Sequence, residues 1–402
     1  MSESPLAAKA LERRNLGLLV AVQSLGGASP PIIISLGGLV GQMLSTNPTA
    51  TTLPVSLYQL GLALSTLPVA WLMQRLGRRM AYVLGAVMGV LSGLVAAWGI
   101  SQSDFILFCI GATMAGFYGA CVQSYRFAAI DAVGEVSRHA QAISLVMVGG
   151  LIAAIIGPQV VIWTRDTLPA TPFAGSFYSQ ALLALLALPL LLGLRLPPAA
   201  PRAITGGTRP LGEIARTPQF IVAALAGVVS YGLMAFLMTA APMAMVGHGH
   251  SVGEAALGIQ WHVLAMFGPS FFTGKLIARF GKRSITALGL AMIAGSGLLA
   301  LAGLDLLHFW GSLILLGVGW NFGFIGATTM LAECHRPSER PKVQALNDFL
   351  VFGTVAVASF GSGQLLHSAG WNGINWGMLP MVAVVLVLIA WQARASKAVV
   401  TN

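Results

Sequence analysis

The chain is a succession of long apolar runs separated by short polar or glycine-rich stretches. The runs are about 20 residues long, the length that an α-helix needs to cross the hydrocarbon core of a bilayer. Strand-like alternation of polar and apolar residues is absent, which disfavours a membrane β-barrel. Helices are favoured because they pair every backbone amide internally. The pattern predicts twelve membrane-spanning helices, at 16–43, 51–73, 80–100, 104–126, 141–163, 176–194, 218–246, 254–278, 284–304, 308–332, 343–366 and 372–394.

Composition supports this interpretation. Of the 402 residues, 56% are hydrophobic and only 8% are charged, and the mean hydropathy is +0.81. A soluble domain carries about 25% charged residues, so this chain has too little polar material for a water-soluble surface. The polar first residues do not have the pattern of a cleavable signal peptide. The fold class expected is an all-α, multi-pass membrane protein.

Lysine and arginine fall on alternate connections between the predicted spans, and the other connections hold a single one, Arg165. Basic residues resist translocation and stay in the cytoplasm. The bias predicts a bacterial inner-membrane protein, embedded in lipid, with both termini cytoplasmic. It also accounts for the net charge of +10, so no nucleic-acid partner is expected. The basic residues of the predicted cytoplasmic loops are Arg75, Arg78, Arg79, Arg138, Arg195, Arg202, Arg209, Arg216, Lys275, Arg279, Lys282, Arg283, Arg336, Arg340 and Lys342.

The chain repeats itself after about half its length. "RLGRRM" at 75–80 recurs as "RFGKRS" at 279–284, and "QAISLVMVGG" at 141–150 aligns with "QALNDFLVFG" at 344–353. The repeat predicts two parallel six-helix halves joined by a basic linker rich in proline and glycine. The predicted division is an N-terminal half at 1–195, a cytoplasmic linker at 196–216 and a C-terminal half at 217–402.

Two parallel halves with a basic loop after the second span resemble the major facilitator superfamily over nearly the whole chain. That family's loop normally reads Gly-x-Leu-Ala-Asp-Arg-x-Gly-Arg-Arg. Here the acidic position is Gln74, and it is Ala278 in the second copy. The resemblance implies a cytoplasmic latch, and plain positive-inside anchoring is the alternative. The latch residues would be Arg75, Arg78 and Arg79, with Asp131 and Asp348 as their partners.

The resemblance implies a monomeric secondary transporter that works by alternating access, with its site at mid-membrane between the halves. The sequence has no Gly-rich phosphate loop, no nucleophile–base pair and no HExxH motif, so neither an enzyme nor ATP-driven transport is indicated. No cofactor is expected. The three cysteines, Cys109, Cys121 and Cys334, lack the spacing of a disulfide framework or a zinc site, and we expect them to behave as small apolar side chains.

Methionine and histidine recur at helical spacing in the seventh and eighth predicted spans. Met234 and Met238 are four residues apart, as are His262 and Met266, so each pair shares a helix face. The spans are antiparallel, which places Met238 and His262 about 12 Å below their outer ends and the other two about 18 Å below. Thioether and imidazole are soft donors that select Cu(I) over Mg or Ca. The alternative is that the methionines fill gaps in an apolar core.

This spacing resembles that of the CcoA-like copper importers, of which riboflavin transporters are close relatives. The resemblance implies that Met234, Met238, His262 and Met266 bind copper as a transported substrate. The expected function is import of Cu(I), favoured by about 2.3 kcal/mol per 100 mV of inside-negative potential, with delivery to a cytoplasmic copper acceptor. Residues expected to gather the ion at the outer mouth are Met243, Met245, His248 and His250.

The alternative function is transport of a small uncharged or aromatic organic solute, such as riboflavin or a drug. Aromatic rings would then stack on the solute and amide groups would hydrogen-bond to it, while the methionines form an apolar wall. Gln123 and Asn321 could equally serve as interhelical hydrogen-bonding groups. The residues that would line this alternative pocket are Gln123, Tyr125, Gln260, Trp261, Phe267 and Asn321.

Overall fold

The computed structural model describes residues 5–133, 138–196, 209–336 and 338–400, and these are overwhelmingly α-helical. A short 3-10 turn at Pro48–Ala50 precedes the third helix. The helices in chain order are α1 (Pro5–Gly26), α2 (Ser29–Leu44), α3 (Leu53–Ser101), α4 (Phe105–Gln123), α5 (Tyr125–Ala132), α6 (His139–Thr164), α7 (Ala174–Leu192), α8 (Leu211–Ala215), α9 (Pro218–Gly247), α10 (Val252–Phe267), α11 (Ser270–Phe280), α12 (Lys282–Ala302), α13 (Leu306–Ala332) and α14 (Arg340–Val400).

The predicted twelve crossings are confirmed, and α3 and α14 each consist of two crossings that meet at a glycine with non-helical backbone angles, Gly77 and Gly370. Within the described ranges, nine helical stretches are long and apolar enough to cross a membrane. Two of them, Pro48–Ser101 and Lys342–Arg394, have 54 and 53 residues, which at 1.5 Å per residue is roughly 80 Å, enough for two crossings each. The pair α10 and α11 supplies the remaining crossing.

Three predicted spans are broken, two of them where proline or glycine interrupts the helical hydrogen bonding and the third at Ser124. The span at 16–43 divides between α1 and α2 around Gly27, and α2 begins with two prolines. The span at 254–278 divides at Gly268 and Pro269. Proline has no amide hydrogen to donate into the preceding turn, so a break is expected at that position. Within the span at 104–126, α4 ends at Gln123 and α5 begins at Tyr125.

The two copies of the basic loop share a backbone conformation as well as a sequence. Gly77 has φ 78 and ψ 159, and Gly281 has φ 82 and ψ 146. This region of backbone space is essentially restricted to glycine. The repeat read from "RLGRRM" and "RFGKRS" is therefore also a repeat of a sharp, glycine-dependent turn between successive crossings.

The chain divides into two compact units, Met1–Pro201 and Arg202–Asn402. The first contains α1–α7, and the second contains α8–α14. Residues 197–208, most of the predicted linker at 196–216, lie outside the described ranges, so the predicted linker bounds and the half boundaries at 195 and 217 stay predictions.

The first unit is held together by small residues and buried tyrosines. Gly93 lies against the backbone of Ala181, where a Cβ would come within 2.7 Å of the Ala181 amide nitrogen. Tyr82 and Tyr125 pack edge-to-face with their centroids 4.8 Å apart. Close approach of helices through small residues is the usual packing mode in membranes, and it explains the high glycine content.

Arg209, in the last part of the predicted linker at 196–216, is anchored within the second unit. Arg209 donates from Nε and Nη2 to the two carboxylate oxygens of Glu339, at 2.9 and 2.8 Å. The Glu339 carboxylate also accepts from the backbone amide of Arg336 at 2.9 Å. These hydrogen bonds hold the pKa of Glu339 well below its usual range and raise the pKa of Arg209. We call this pair the linker clamp.

The helices around the candidate site begin at well-formed caps. Thr217 accepts a hydrogen bond from the amide of Phe220 at the start of α9. Ser251 and Glu254 form a reciprocal capping box at the start of α10. Each cap satisfies amide groups that would otherwise lack partners, so the starting points of the two helices that carry the methionines and His262 are fixed by local sequence.

Candidate substrate site

The four residues predicted to bind copper are all buried. Met234 and Met238 on α9 are 1% and 3% exposed, and His262 and Met266 on α10 are 0% and 6% exposed. Each pair lies on one helix face, as the spacing predicts. The sequence signal thus identified an inward-facing stripe on two helices of the second unit.

The α10 stripe packs directly against α13. His262 donates from Nδ1 to the carbonyl oxygen of Leu313 at 2.7 Å. A Cβ at Gly317 would come within 2.5 Å of the His262 carbonyl oxygen and 3.0 Å of the Met266 amide. Because a carbonyl only accepts, Nδ1 carries the proton and Nε2 is the unprotonated nitrogen. Nε2 is buried and has no hydrogen-bond partner among the described residues.

The α9 stripe also faces the interior of the second unit. Ser230 lies one turn before Met234, and a Cβ at Gly323 of α13 would come within 2.5 Å of the Ser230 hydroxyl. Met234 and Met238 continue the same face at four-residue intervals. In this position the thioethers fill space between packed helices, which is the ordinary use of methionine.

The four residues expected at an outer mouth differ in exposure. Met243 and Met245 are buried, whereas His248 is exposed and His250 is half-buried. His248 Nδ1 is hydrogen-bonded to the carbonyl of Ala244 at 2.7 Å, and His250 Nε2 to that of Leu304 at 2.9 Å. The expected position of these residues at the outer mouth stays a prediction.

The predicted lining of the alternative pocket divides into exposed and buried members. Gln123 is exposed, Phe267 is half-buried, and Trp261 is 42% exposed. Tyr125 and Gln260 are buried. Three of these side chains are therefore at least partly exposed.

Asn321 is a packing group within the second unit. Its amide nitrogen donates to the Met266 carbonyl at 2.6 Å and to the Ser270 hydroxyl at 2.7 Å. Its side-chain oxygen accepts from Thr273 Oγ1 at 2.6 Å. These bonds connect α13 to α10 and α11, so the interhelical interpretation of Asn321 fits the structure.

One of the predicted latch pairs forms in the first unit. Arg78 Nε lies 2.5 Å from Asp131 Oδ2, an ion pair whose atoms are not aligned as a hydrogen bond. Arg78 also donates to Tyr82 OH at 3.5 Å, and Ser124 Oγ donates to the same hydroxyl at 3.1 Å. The arginine is thus tied directly to α5 and, through Tyr82, to Ser124 between α4 and α5.

The other latch residues have different surroundings. The guanidinium of Arg75 lies 5.6 Å from the centroid of the Trp71 ring, a cation–π arrangement. Arg79 is exposed. Asp348 is in the second unit, where the side-chain amide of Asn347 donates to it at 3.3 Å. A latch role for these three residues stays a prediction.

The cysteines are free thiols. Cys109 and Cys121 are buried, and Cys334 is half-buried. Burial, together with the nearby Glu333 carboxylate, raises the pKa of Cys334 to about 11. In the part of the chain that the structure describes, no group of three or more His, Cys, Asp or Glu side chains is placed to hold a metal ion.

The sequence analysis missed a group of aromatic side chains in the second unit. We call it the ring cluster, and it joins four helices through edge-to-face and stacked contacts. Only one of its members was among the predicted lining residues. A Trp and a Phe four residues apart on α13 were the available sequence signal. The ring cluster comprises Tyr231, Phe267, Trp320, Phe324 and Phe352.

Comparison with known families identifies the architecture. The Major Facilitator Superfamily model matches residues 16–333 and, in a second overlapping match, residues 223–400. The chain belongs to the major facilitator superfamily. It is accordingly a multi-pass membrane transporter and not an enzyme. The resemblance read from the basic loop and the two halves is confirmed at the level of the superfamily.

Related proteins cover nearly the full chain. The riboflavin transporter RfnT of Brucella anthropi is 64% identical over 377 residues, which is 93% of this chain and 94% of that protein. The uncharacterized MFS-type transporter YdeG of Bacillus subtilis is 30% identical and covers 96% of this chain and 94% of its own length. A crystal structure of a mutant of the nucleoside transporter NupG matches with TM-score 0.77 at 14% identity, over 94% of this chain and 99% of that one. At this low identity, the similarity to NupG shows the fold alone.

The expectation of copper import was wrong. A protein that shares 64% of its residues with this chain, over 93% of it, is a riboflavin transporter. The copper substrate, the narrower resemblance to copper importers and the expected copper acceptor are overturned together. The physical reason is that methionine at helical spacing serves equally well as core packing, and the structure places these methionines in a packed interior.

Proposed function

We propose that this protein imports riboflavin, by alternating access, across the bacterial inner membrane. The observation that carries the proposal is the 64% identity to the riboflavin transporter RfnT across 93% of the chain. This identity is about twice the 30% that the chain shares with YdeG.

The chemistry of the chain suits such a solute. Riboflavin is uncharged near neutral pH and combines a planar three-ring system with a polyhydroxyl chain. The middle of the spans carries no Asp, Glu, Lys or Arg, and intramembrane charges ordinarily mark sites for charged substrates or protons. The accessible side chains Gln123, Trp261 and Phe267 offer one amide and two aromatic rings, the groups that orient an aromatic solute.

The proposed orientation follows from the basic loops. Arg165 is the single basic residue on the connections assigned to the outside, whereas the other loops carry many. Both termini are accordingly assigned to the cytoplasm. The membrane potential works only on charged cargo, so it does not drive riboflavin itself, and net entry follows the riboflavin gradient or a coupled ion.

The test is uptake of labelled riboflavin by a bacterial strain that can neither make nor import it. Expression of this chain should restore growth on low riboflavin and produce saturable uptake. A matched strain expressing an unrelated membrane protein at the same level controls for membrane load. Absence of uptake with protein present in the membrane would contradict the proposal, as would uptake of unrelated organic solutes at equal rates.

A further inference from the structure

The ring cluster is a continuous aromatic surface within the second unit. The Tyr231 centroid lies 5.3 Å from that of Trp320, 5.0 Å from that of Phe324 and 5.8 Å from that of Phe352. Trp320 and Phe324 are stacked, with centroids 5.4 Å apart and planes inclined by 13°. Phe267 extends the surface, 6.1 Å from Trp320. Helices α9, α10 and α14 thus each place one ring beside the Trp320–Phe324 pair of α13.

These rings lie off the face by which α13 packs on α12. That contact uses glycines: a Cβ at Gly319 would come within 2.9 Å of the Gly289 carbonyl oxygen, and one at Gly326 would collide with the Thr286 hydroxyl. Trp320 follows Gly319 by one residue, about 100° around the helix. Phe324 lies one turn beyond Trp320 on the same face. The tight α12–α13 contact therefore does not need the rings.

Two features distinguish the ring cluster from ordinary core packing. Tyr231, Phe267, Phe324 and Phe352 are half-buried, so part of each ring is accessible. The Trp320 side chain is buried, and its Nε1–H finds no acceptor in the described part of the chain. A buried indole N–H normally has a hydrogen-bond partner. A buried donor beside accessible ring faces is the arrangement expected where a heteroaromatic solute supplies the missing acceptor.

We propose that the ring cluster is the site where the isoalloxazine ring of riboflavin stacks. The Nε1–H of Trp320 donates to a carbonyl oxygen or an unprotonated nitrogen of that ring. This inference rests on the proposed function and adds to it the part of the solute that is recognised and the residues that recognise it. The tricyclic ring, rather than the polyhydroxyl chain, supplies most of the affinity, because stacking on aromatic side chains is available along the whole ring plane.

The test uses the full-length protein, purified and reconstituted in liposomes, with riboflavin as the probe. Phe324→Leu removes one stacking ring and should raise the KM for riboflavin about tenfold. Trp320→Phe keeps a ring but removes the donor, so it should raise KM severalfold. It should also weaken the quenching of bound-flavin fluorescence, because an indole ring donates an electron to an excited flavin and a phenyl ring does not. The matched control is Trp376→Phe, the same change at an indole that is 61% exposed on α14, and it should leave KM unchanged.

Competition with wild-type protein provides a second readout that does not depend on the folding of a variant. Lumiflavin, which has the ring system without the polyhydroxyl chain, should inhibit riboflavin uptake, and ribitol should not. Inhibition by ribitol but not lumiflavin would overturn the proposal, and so would a wild-type KM in both Phe324→Leu and Trp320→Phe. Failure of the wild-type protein to transport riboflavin would instead refute the proposed function, and the stacking site with it.

Discussion

Glu339 accepts hydrogen bonds on both carboxylate oxygens from the guanidinium of Arg209, which precedes it by 130 residues. Lys342 Nζ also donates to the carbonyl oxygen of Arg209, so both the side chain and the backbone of Arg209 are held. The clamp attaches the last part of the predicted linker to the connection between α13 and α14.

Neutralising Glu339 should destabilise the second unit. Glu339→Gln keeps the shape of the side chain but removes the negative charge to which the Arg209 guanidinium donates two hydrogen bonds. We expect a lower Tm in detergent, with Arg209→Gln lowering it to a similar extent. Since the two groups act as one unit, the double variant should lose little more than either single variant. If the Tm change of the double variant equalled the sum of the two single-variant changes, the clamp would be contradicted.

A matched control comes from an exposed ion pair nearby. Glu333, 67% exposed, pairs with Lys282. Exposed pairs contribute about 0–1 kcal/mol, so Glu333→Gln should shift Tm much less than Glu339→Gln. Equal shifts would mean that loss of negative charge, rather than loss of the clamp, is responsible.

The stabilisation from the clamp should depend on pH in a defined direction. Hydrogen bonds from Arg209 lower the pKa of Glu339 below its ordinary value of 4.5. A lowered carboxyl pKa contributes stability that is fully present above the unfolded value and declines as pH falls through the folded value. The Tm difference between wild type and Glu339→Gln should thus stay constant from about pH 7 to 5 and narrow below 4.5. A difference that grows on acidification would contradict this assignment.

The helices were predictable from sequence because their cause is local. Each crossing needs only an uninterrupted apolar run, and the chain supplies twelve of them. The short connections inside α3 and α14 were less predictable. Gly77 and Gly370 have non-helical backbone angles, with φ 78 and φ 67, so each is the point where two helices meet directly. An apolar run alone does not show that no loop separates the two crossings.

Substitution of the repeat glycine tests the shared turn directly. Gly281→Ala places a Cβ at φ 82, where no other atom lies within 4 Å, so its cost is conformational rather than steric. We expect a loss of about 1–3 kcal/mol of unfolding free energy, measured by denaturation in detergent. The control Gly274→Ala, inside α11 and equally uncrowded, should be neutral or stabilising by up to about 1 kcal/mol. Equal effects of the two changes would argue against a strained turn.

The candidate site was predictable only in part because its members come from distant segments. Spacing identified Met234 and Met238 as sharing a face, and the structure agrees. Spacing does not specify what that face meets. The contacts among Tyr231, Trp320 and Phe352 join three helices, and no local pattern encodes them. The linker clamp could not be predicted for the same reason, because the sequence does not show which of its many basic residues pairs with Glu339.

Substitutions at Met234 and Met238 can distinguish a packing role of these side chains from a role that requires their sulfur atoms. Met234 and Met238 are buried on the face of α9 that continues from Ser230 toward α13, and leucine has nearly the same volume. A volume-conserving exchange in a packed interior costs less than about 1.5 kcal/mol. The double variant Met234→Leu with Met238→Leu should therefore keep riboflavin KM within about twofold of wild type, the margin expected when packing is kept. Met234→Ala, which leaves a cavity, should lose about 2–5 kcal/mol of stability. Loss of uptake in the stable leucine variant would show that the thioethers themselves contact the cargo, and the packing role inferred from their burial would then be wrong.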